Sequence, residues 1–588
     1  MKIVFLFLMF ICTALQAQVS KEDTHLKFAL NQAEQNTFIS EQEQLAFLKS
    51  NNPTNTDMVI GAELNKATPK RDLRGVFLPS VSNLSWPTNR KATPAQQQAE
   101  LITIFDDLKA NGYNTVFMQV RPESDALYAS TIDPWSYWLT GQQGKAPSPF
   151  WDPLEFAVKE AHARGLDLHA WLNPYRVKQT PNMELSPNNV ANLHPNWTFQ
   201  AKINNTDKAL SLKMLNPGLP EVRDYIVRVV EDIANRYDID GIHFDDYFYP
   251  YSGMNVIPQD AKTFIAHNPT KIATIEDWRR NNVNLMIGMV YDALQTINTT
   301  KNKNIVFGVS PFGIWKSDTP AGIKGTSSYS SLYCDPITWL NTGKVDYLAP
   351  QLYWKITKAQ DYVALSKWWN DQTKLYGKQL YVSQGYYRMD FTNPWDHTEI
   401  QNQINQNRQS HMDATFGQIA YSYNSIKNNS KGVNEALKTN HFKYKSFAPP
   451  VLGVGKDNIY PNKPTNVRFE SSKILWDNPK PAPDGDLPVK YVVYAFDNPS
   501  EAITNMNDGS KILDIVVGNE LSLTKEQLNS KFFVVTSLDK NNNEAGDFTT
   551  TNKFGVSKRK VNELVVNPIV EDVQITIEDP NIQIKKSI

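Results

Sequence analysis

The sequence predicts an α/β fold: a (β/α)8 barrel of eight parallel strands wrapped by helices, followed by a small all-β sandwich. Three observations carry this. From Arg71 onward, short apolar runs alternate with stretches of helical period, the rhythm of strands joined by crossover helices. Beyond a Pro- and Gly-bearing stretch, SFAPPVLGVG, only short alternating strands follow. A length of 588 residues also exceeds what one core organises, so more than one unit is expected.

The eight barrel strands are expected at residues 74–81, 114–122, 166–175, 241–250, 305–315, 346–354, 379–387 and 417–424. Between them lie amphipathic helical patterns such as QAELITIFDDLKANG, DPLEFAVKEAHARG and EVRDYIVRVVEDIANRYD. Gly112 and Gly165 close two of these helices before the next strand. The barrel is assigned to residues 71–445 and a linker to 446–460. Residues 461–552 carry PNKPTNVRF, ILWDNP, VKYVVYAFD and KFFVVTSLDKNNNEAGD, with Trp early and Tyr in the middle, and resemble a fibronectin type III sandwich. Its role is either a spacer or a carbohydrate-binding module. Residues 553–588 are read as a tail or an extra strand pair.

The N-terminus begins Met-Lys, continues in the apolar run IVFLFLMFICTAL and reaches the small residue Ala17, the pattern of a signal peptide over residues 1–17. Export to the periplasm or cell surface is expected, with no stable membrane insertion after cleavage, because the run is shorter than the ~20 residues of a bilayer span. A polar helical arm is assigned to 18–70. Cys334 is then the one remaining cysteine, so no internal disulfide is expected and a buried structural thiol is. The net charge of -1, from 60 basic and 61 acidic residues without long runs of either sign, excludes a nucleic-acid partner. The oligomeric state is unknown from sequence. Fourteen Trp and 25 Tyr exceed what a core absorbs without leaving N–H and O–H groups to satisfy, and surplus rings of this kind line sugar clefts.

Strand parity sorts side chains into a helix-facing apolar set and an interior polar set. In DGIHFDDYFYP, Ile242 and Phe244 form the apolar set, so His243 and Asp245 point inward, Asp245 at the C-terminal mouth where barrel enzymes place their chemistry. The same test turns Gln119 and Arg121 inward on the second strand, His169, Trp171, Asn173 and Tyr175 on the third, and Gln351 and Tyr353 on the sixth. Gln119 and His243 sit deeper and read as satisfied core polars, Arg121 as a group pairing with Asp245 or Glu123, and Trp354 as a ring exposed to ligand. Asp246 has the opposite parity; it either caps the following loop or swings into the site.

Cleavage of a glycosidic bond needs one group to protonate the leaving oxygen and another to act as nucleophile or activate water. Asp245 is the first choice of acid, with Asp246 and Glu123 as partners and Asp125 close behind. Arg121, Asn173, Tyr175, Gln351, Tyr353 and Trp354 are the expected substrate-binding set. Family 18 chitinases carry DGxDxDxE on strand four, and Asp240, Gly241, His243, Asp245 and Tyr247 occupy those places, with Tyr247 where the family has Glu. In those enzymes the substrate's N-acetyl group replaces a protein nucleophile. Asp245 and Asp246 could divide the orienting of that group and the donation of a proton.

RGVFLPSV, FMQVRPESDALY, LDLHAWLNPYR, LNPGLPEVRDYI, DGIHFDDYFYP and APQLYW together resemble the glycosyl-hydrolase-like family 10 proteins of bacterial envelopes. That group includes a divisome-associated glycosidase acting on peptidoglycan stripped of its peptides. The resemblance covers about residues 71–445 and implies a barrel, an envelope location and hydrolysis of a glycan rich in N-acetyl sugars; no cofactor or metal is expected. It carries over Arg121, Glu123, Asn173, Tyr175, Asp245, Asp246, Gln351 and Tyr353. Two other readings stand beside it: a non-catalytic glycan-binding barrel, favoured by the lack of a carboxylate on strand seven, and a metal-dependent deacetylase using His243, Asp245 and His169, disfavoured by the lack of an HxH pair.

Overall fold

The computed structural model describes residues 67–545, apart from a few short breaks of which the longest is 204–210. The expected signal peptide, nearly all of the helical arm and the C-terminal tail lie outside the described residues.

Eight strands close into a parallel barrel: β1 (Leu73–Leu78), β2 (Thr115–Arg121), β3 (Asp167–Leu172), β4 (Gly241–Phe244), β5 (Val306–Val309), β6 in two pieces (Tyr347–Leu348 and Gln351–Leu352), β7 (Gln379–Gln384) and β8 (Thr415–Ala420). Closure is made where β8 pairs with β1, Leu73 opposite Gly417, and where β6 pairs with both β5 and β7. Each expected strand is present, and the longer predicted segments lose their C-terminal ends to loops. Those loops build the mouth.

Local chemistry sets the helix boundaries. In α1 (Pro94–Ala110), Thr93 and Gln96 form a reciprocal capping box ahead of Pro94. In α2 (Pro153–Ala163), the Asp152 carboxylate accepts from the backbone N–H groups of Leu154 and Glu155. Gly112 and Gly165, at φ of +84° and +70°, make the left-handed turns that stop these two helices. In α3 (Pro220–Arg236), Val222, Ile226, Val229, Val230 and Ile233 face the sheet at helical spacing.

The outward side chains of the strands, among them Val116, Met118, Val120, Ile242 and Phe244, join these helix faces in one large core. The inward set forms a second core inside the barrel: Phe77, Phe117, Trp171, Tyr347, Tyr381 and Ile419, floored by Ala448 and Val451. Tyr347 fits because β5 offers Gly308 beneath it; a Cβ there would stand 2.0 Å from the Tyr347 ring. The Tyr347 hydroxyl bridges His169 Nδ1 and His243 Nδ1, each at 2.9 Å, and His243 Nε2 meets Ser310 Oγ at 2.9 Å. Burial pushes both imidazoles down, His169 to about 4, so they are neutral parts of the core.

Beyond β3 the chain forms an inserted four-stranded antiparallel sheet, ordered Arg176–Lys178, Ser211–Leu215, Thr198–Ile203 and Met254–Asn255. After the barrel come two three-stranded antiparallel sheets. One orders β9 (Thr465–Glu470), β10 (Lys473–Asp477) and β13 (Glu520–Ser522); the other orders β12 (Ile512–Val516), β11 (Lys490–Phe496) and β14 (Phe532–Leu538). Strand β11 is buried on both faces. Tyr491 and Val493 join Ile474 and Trp476 between the sheets, while Val492, Tyr494 and Phe496 pack with Phe447 from the chain leaving the barrel. Ion pairs fasten these sheets under the barrel: Lys490 with Asp167 at 2.7 Å and Lys70 with Glu544 at 2.6 Å.

Candidate active site

A cavity of about 750 Å³ opens at the C-terminal ends of the strands. Its floor and walls include Trp138, Trp171, Tyr251, Phe312, Tyr353, Trp354, Tyr387 and Tyr421, with Asp245, Asp246, Arg176, Arg388, Gln119 and Gln351 as the polar groups among them.

Asp245 continues the alternation of β4 one residue past its last paired position and points inward. A relay across four strands holds it. The backbone N–H groups of Ser80 and Val81 donate to Gln119 Oε1, each at 2.9 Å; Gln119 Nε2 donates to Asn173 Oδ1 at 2.5 Å; and Asn173 Nδ2 donates to Asp245 Oδ2. Arg176 Nη2 also donates to Asn173 Oδ1, at 2.8 Å, which leaves the Asn173 amide one orientation. Gln119, read as a satisfied core polar, is therefore satisfied within the site itself.

Asp246 swings into the cavity, because the ladder ends at Phe244 and strand parity no longer binds it. Its Oδ2 accepts from the Tyr251 hydroxyl. In both acids Oδ1 is enclosed and has no hydrogen-bond partner among the described residues. Burial pushes Asp245 up to about 6, against the pull of Arg176 and the Asn173 hydrogen bond. Burial and then the neighbouring Asp245 charge push Asp246 further, to about 7, although Tyr251 and Gln351 oppose it. Near neutral pH the pair thus holds one proton readily, and Asp246 is the better place for it.

Other expected site residues are placed differently. Arg121 does not face the mouth: the register shifts between Gln119 and Arg121, and the guanidinium turns out to Asp133 at 2.7 Å and to the carbonyls of Asn173 and Pro174. It braces the β3 end from behind. Tyr175 is also outside the cavity, packed in the helix-side core with its ring centroid 6.3 Å from Phe248. Glu123 is wholly buried and does not line the cavity; Oε2 accepts from Trp138 Nε1 at 2.9 Å and Oε1 from the Gln179 N–H at 2.5 Å. It positions two wall residues. Gln351, Tyr353 and Trp354 do line the cavity, and Tyr353 packs against Tyr387 and Tyr421 at centroid distances of 5.6 and 5.8 Å.

Sequence reasoning missed Arg176, Tyr251, Tyr387, Arg388 and Tyr421. Parity could have found Tyr421, two residues beyond the inward Ile419 of β8. Arg176 closes the quoted string LDLHAWLNPYR but lies past the strand. Its Nε donates to the Pro122 carbonyl at 2.8 Å, and its guanidinium stands 5.2 Å from the Tyr247 ring centre.

Two acids of raised proton affinity in a ring-walled cavity, at the C-terminal mouth of a parallel barrel, are an arrangement suited to a carbohydrate-cleaving hydrolase. The glycosyl hydrolase-like 10 family model matches residues 72–398. Glycosyl hydrolase YngK of Bacillus subtilis (strain 168) is 36% identical over 418 residues, which are 69% of this chain and 78% of that protein. Glycosyl hydrolase DigH of Escherichia coli (strain K12) is 36% identical over 334 residues, 54% of this chain and 74% of that protein. Among solved structures, the PgaB glycoside hydrolase domain of Bordetella bronchiseptica aligns with 63% of this chain and 98% of its own, at 15% identity and a TM-score of 0.43. The chain belongs to the glycosyl hydrolase-like 10 family and is a glycoside hydrolase.

Proposed function

We propose that this hydrolase acts outside the cytoplasm on an envelope polysaccharide containing N-acetyl sugars, namely the glycan strands of peptidoglycan, with Asp245 and Asp246 as its working acids. The unlike environments of these adjacent carboxyls carry the reading. Asp245 is held by Asn173 and faces Arg176, which favours its anion; Asp246 is buried with the Asp245 charge beside it, which favours its proton against the pull of the Tyr251 hydrogen bond. This moves the acid role from Asp245 to Asp246. In the proposed step Asp246 gives its proton to the leaving glycosidic oxygen as the bond to the anomeric carbon breaks. The substrate's acetamido oxygen attacks that carbon, and the Asp245 carboxylate accepts the acetamido N–H and stabilises the positive charge. Water then opens the cyclic intermediate, returning its proton to Asp246. Gln351, Tyr353 and Trp354 bind the sugar, and Glu123 acts through Trp138. The N-terminal signal peptide and the fibronectin type III kinship of the C-terminal sheets belong to this proposal, as the parts of an exported enzyme.

The deacetylase reading finds little support, since both ring nitrogens of His243 and Nδ1 of His169 are engaged beneath the cavity with Tyr347 and Ser310. The test is release of reducing ends from soluble glycan strands. The parent chain is expected to generate them and Asp246→Asn to lose about 10²- to 10⁴-fold in kcat, the span of general acid catalysis. No products from any N-acetyl-sugar glycan would overturn the substrate assignment, and an undiminished Asp246→Asn would overturn the acid.

A further inference from the structure

The charged side chains lining the cavity are two acids and two arginines. Arg176 follows β3 and Arg388 follows β7, four strands apart around the ring, so they approach from opposite sides of the mouth. A guanidinium keeps its charge at every relevant pH, whereas the two neighbouring buried acids resist being ionised together. The cavity therefore carries an excess of positive charge around neutrality. A neutral sugar does not need that excess.

Arg388 is the less committed of the two. Structural arginines such as Arg121 and Arg279 are paired with acids: Arg121 bonds Asp133, two carbonyls, Ser124 and Tyr225, and Arg279 takes both oxygens of Asp260. Arg388 makes no ion pair among the described residues; the Tyr387 hydroxyl is the hydrogen-bonding group beside its guanidinium, and no acid neutralises it. It is nevertheless held in place. The guanidinium stands 5.2 and 5.5 Å from the ring centres of Tyr387 and Phe391. Gly385 lets the chain pass so close that a Cβ there would be 3.3 Å from Arg388 Cγ and 3.2 Å from Tyr353 Cβ. A fixed planar guanidinium that lines the cavity without an acid of its own, beside the Tyr353 and Tyr387 rings, matches a carboxylate better than any uncharged sugar substituent.

We propose that Arg388, assisted by the charge of Arg176, selects a glycan whose sugar bears a free carboxylate, and that Arg388 is the group that pairs with it. This rests on the N-acetyl-sugar reading above and adds the substituent that is recognised. That carboxylate has two chemical sources: an ether-linked lactyl group, free where a peptidoglycan strand carries no peptide, or a ring uronate.

The test uses the full chain and two pairs of soluble glycans: peptide-free peptidoglycan strands with free or methylamidated lactyl groups, and a uronate/N-acetylglucosamine polymer with free or methylamidated uronates. kcat/KM is read from reducing ends and Kd separately by titration. We expect the free acid to be preferred over its amide by about 10- to 100-fold within one pair, as for a charge-assisted hydrogen bond, with the pair identifying the source. The ratio is expected to collapse toward one in Arg388→Gln and to survive in part in Arg388→Lys. Because the readout is a ratio within each variant, loss of folded protein does not imitate it. No acid preference in either pair, or an undiminished preference in Arg388→Gln, overturns the proposal. An acid preference in Kd that Arg388→Gln abolishes, with no cleavage of any glycan, supports the recognition by Arg388 while overturning the proposed substrate.

Discussion

The two ends of the barrel treat their carboxylates in opposite ways. At the N-terminal end, Asp72, Asp167, Asp240 and Asp346 each stand at or just before the start of a strand, and each has a basic partner: Asp72 has Arg74 and Arg408, Asp167 has Lys490, Asp240 has His162, and Asp346 has Lys456 at 2.7 Å. Two also accept from the backbone of the preceding strand, Asp240 from the Leu168 N–H and Asp346 from the Phe307 N–H. At the C-terminal end, Asp245 and Asp246 are equally buried, yet no cation stands within ion-pairing distance among the described residues, and each keeps one oxygen without a partner. Burial alone raises a carboxyl's proton affinity. At the floor it is outweighed by Arg408 and Arg74 around Asp72 and by His162 beside Asp240, whose proton affinities fall; at the mouth it prevails. The difference teaches where the molecule invests in stability and where in chemistry.

That contrast can be broken in stages. The largest effect is on turnover: Asp246→Asn is expected to lose the 10²- to 10⁴-fold given above while its circular dichroism and denaturation midpoint stay those of a folded protein. Next comes stability. Lys456→Met leaves Asp346 buried without its cation and is expected to cost about 3–5 kcal/mol in a denaturant titration, with turnover per folded molecule retained.

Third, the ends are expected to respond oppositely to pH. Asp246 has its folded value raised to about 7 from 3.8, so its contribution favours folding at low pH and is lost as pH rises through about 7. Asp246→Asn is then more stable than the parent at pH 8, on the order of a few kcal/mol, with the advantage gone at pH 4. Asp72, with a lowered value, behaves in reverse: its contribution is present above 3.8 and lost on acidification. Thermal melts of the parent, Asp246→Asn and Asp72→Asn across pH 2 to 8 check both signs, and parallel curves would sink the contrast. The smallest effect is expected at the wall. Glu123→Gln weakens the hold on Trp138 and should raise KM about tenfold or less, the cost of one charge-assisted hydrogen bond, while kcat changes little. A loss in kcat instead would return Glu123 to the chemistry.

The barrel was legible because hydrophobic period and parity act residue by residue, and they placed Ile242, Phe244, His243 and Asp245 on their observed sides. Legibility ended where ladder pairing ends. Arg121 was misplaced because of an irregularity in the β2–β3 register that no period announces, and Tyr175 because the chain turns after Leu172. Asp246 was ambiguous for the same reason: one residue past a regular position, its direction is set by Tyr251 and by the turn of the loop. Arg388 was invisible, since it stands on a short 3₁₀ turn, Tyr386–Asp390, whose aim depends on the close approach of Gly385 to Tyr353. Glu123 reads from sequence as a candidate partner acid, and its place as a brace depends on Trp138, fifteen residues later, returning to it.

The pairing of Asp167 with Lys490 and of Asp346 with Lys456 has a consequence for the order of events during synthesis. A ribosome that has delivered the last barrel strand has not yet delivered either counter-charge, nor the Asn542 amide that donates to Asp167 at 3.1 Å. Until the segments carrying Lys456 and Lys490 are in place, both carboxylates stand at a floor open to water, and that end of the barrel cannot become dry. The C-terminal sheets are thus the step that completes the barrel's folding, and a chain released early is left with its base uncharged-balanced and open to water.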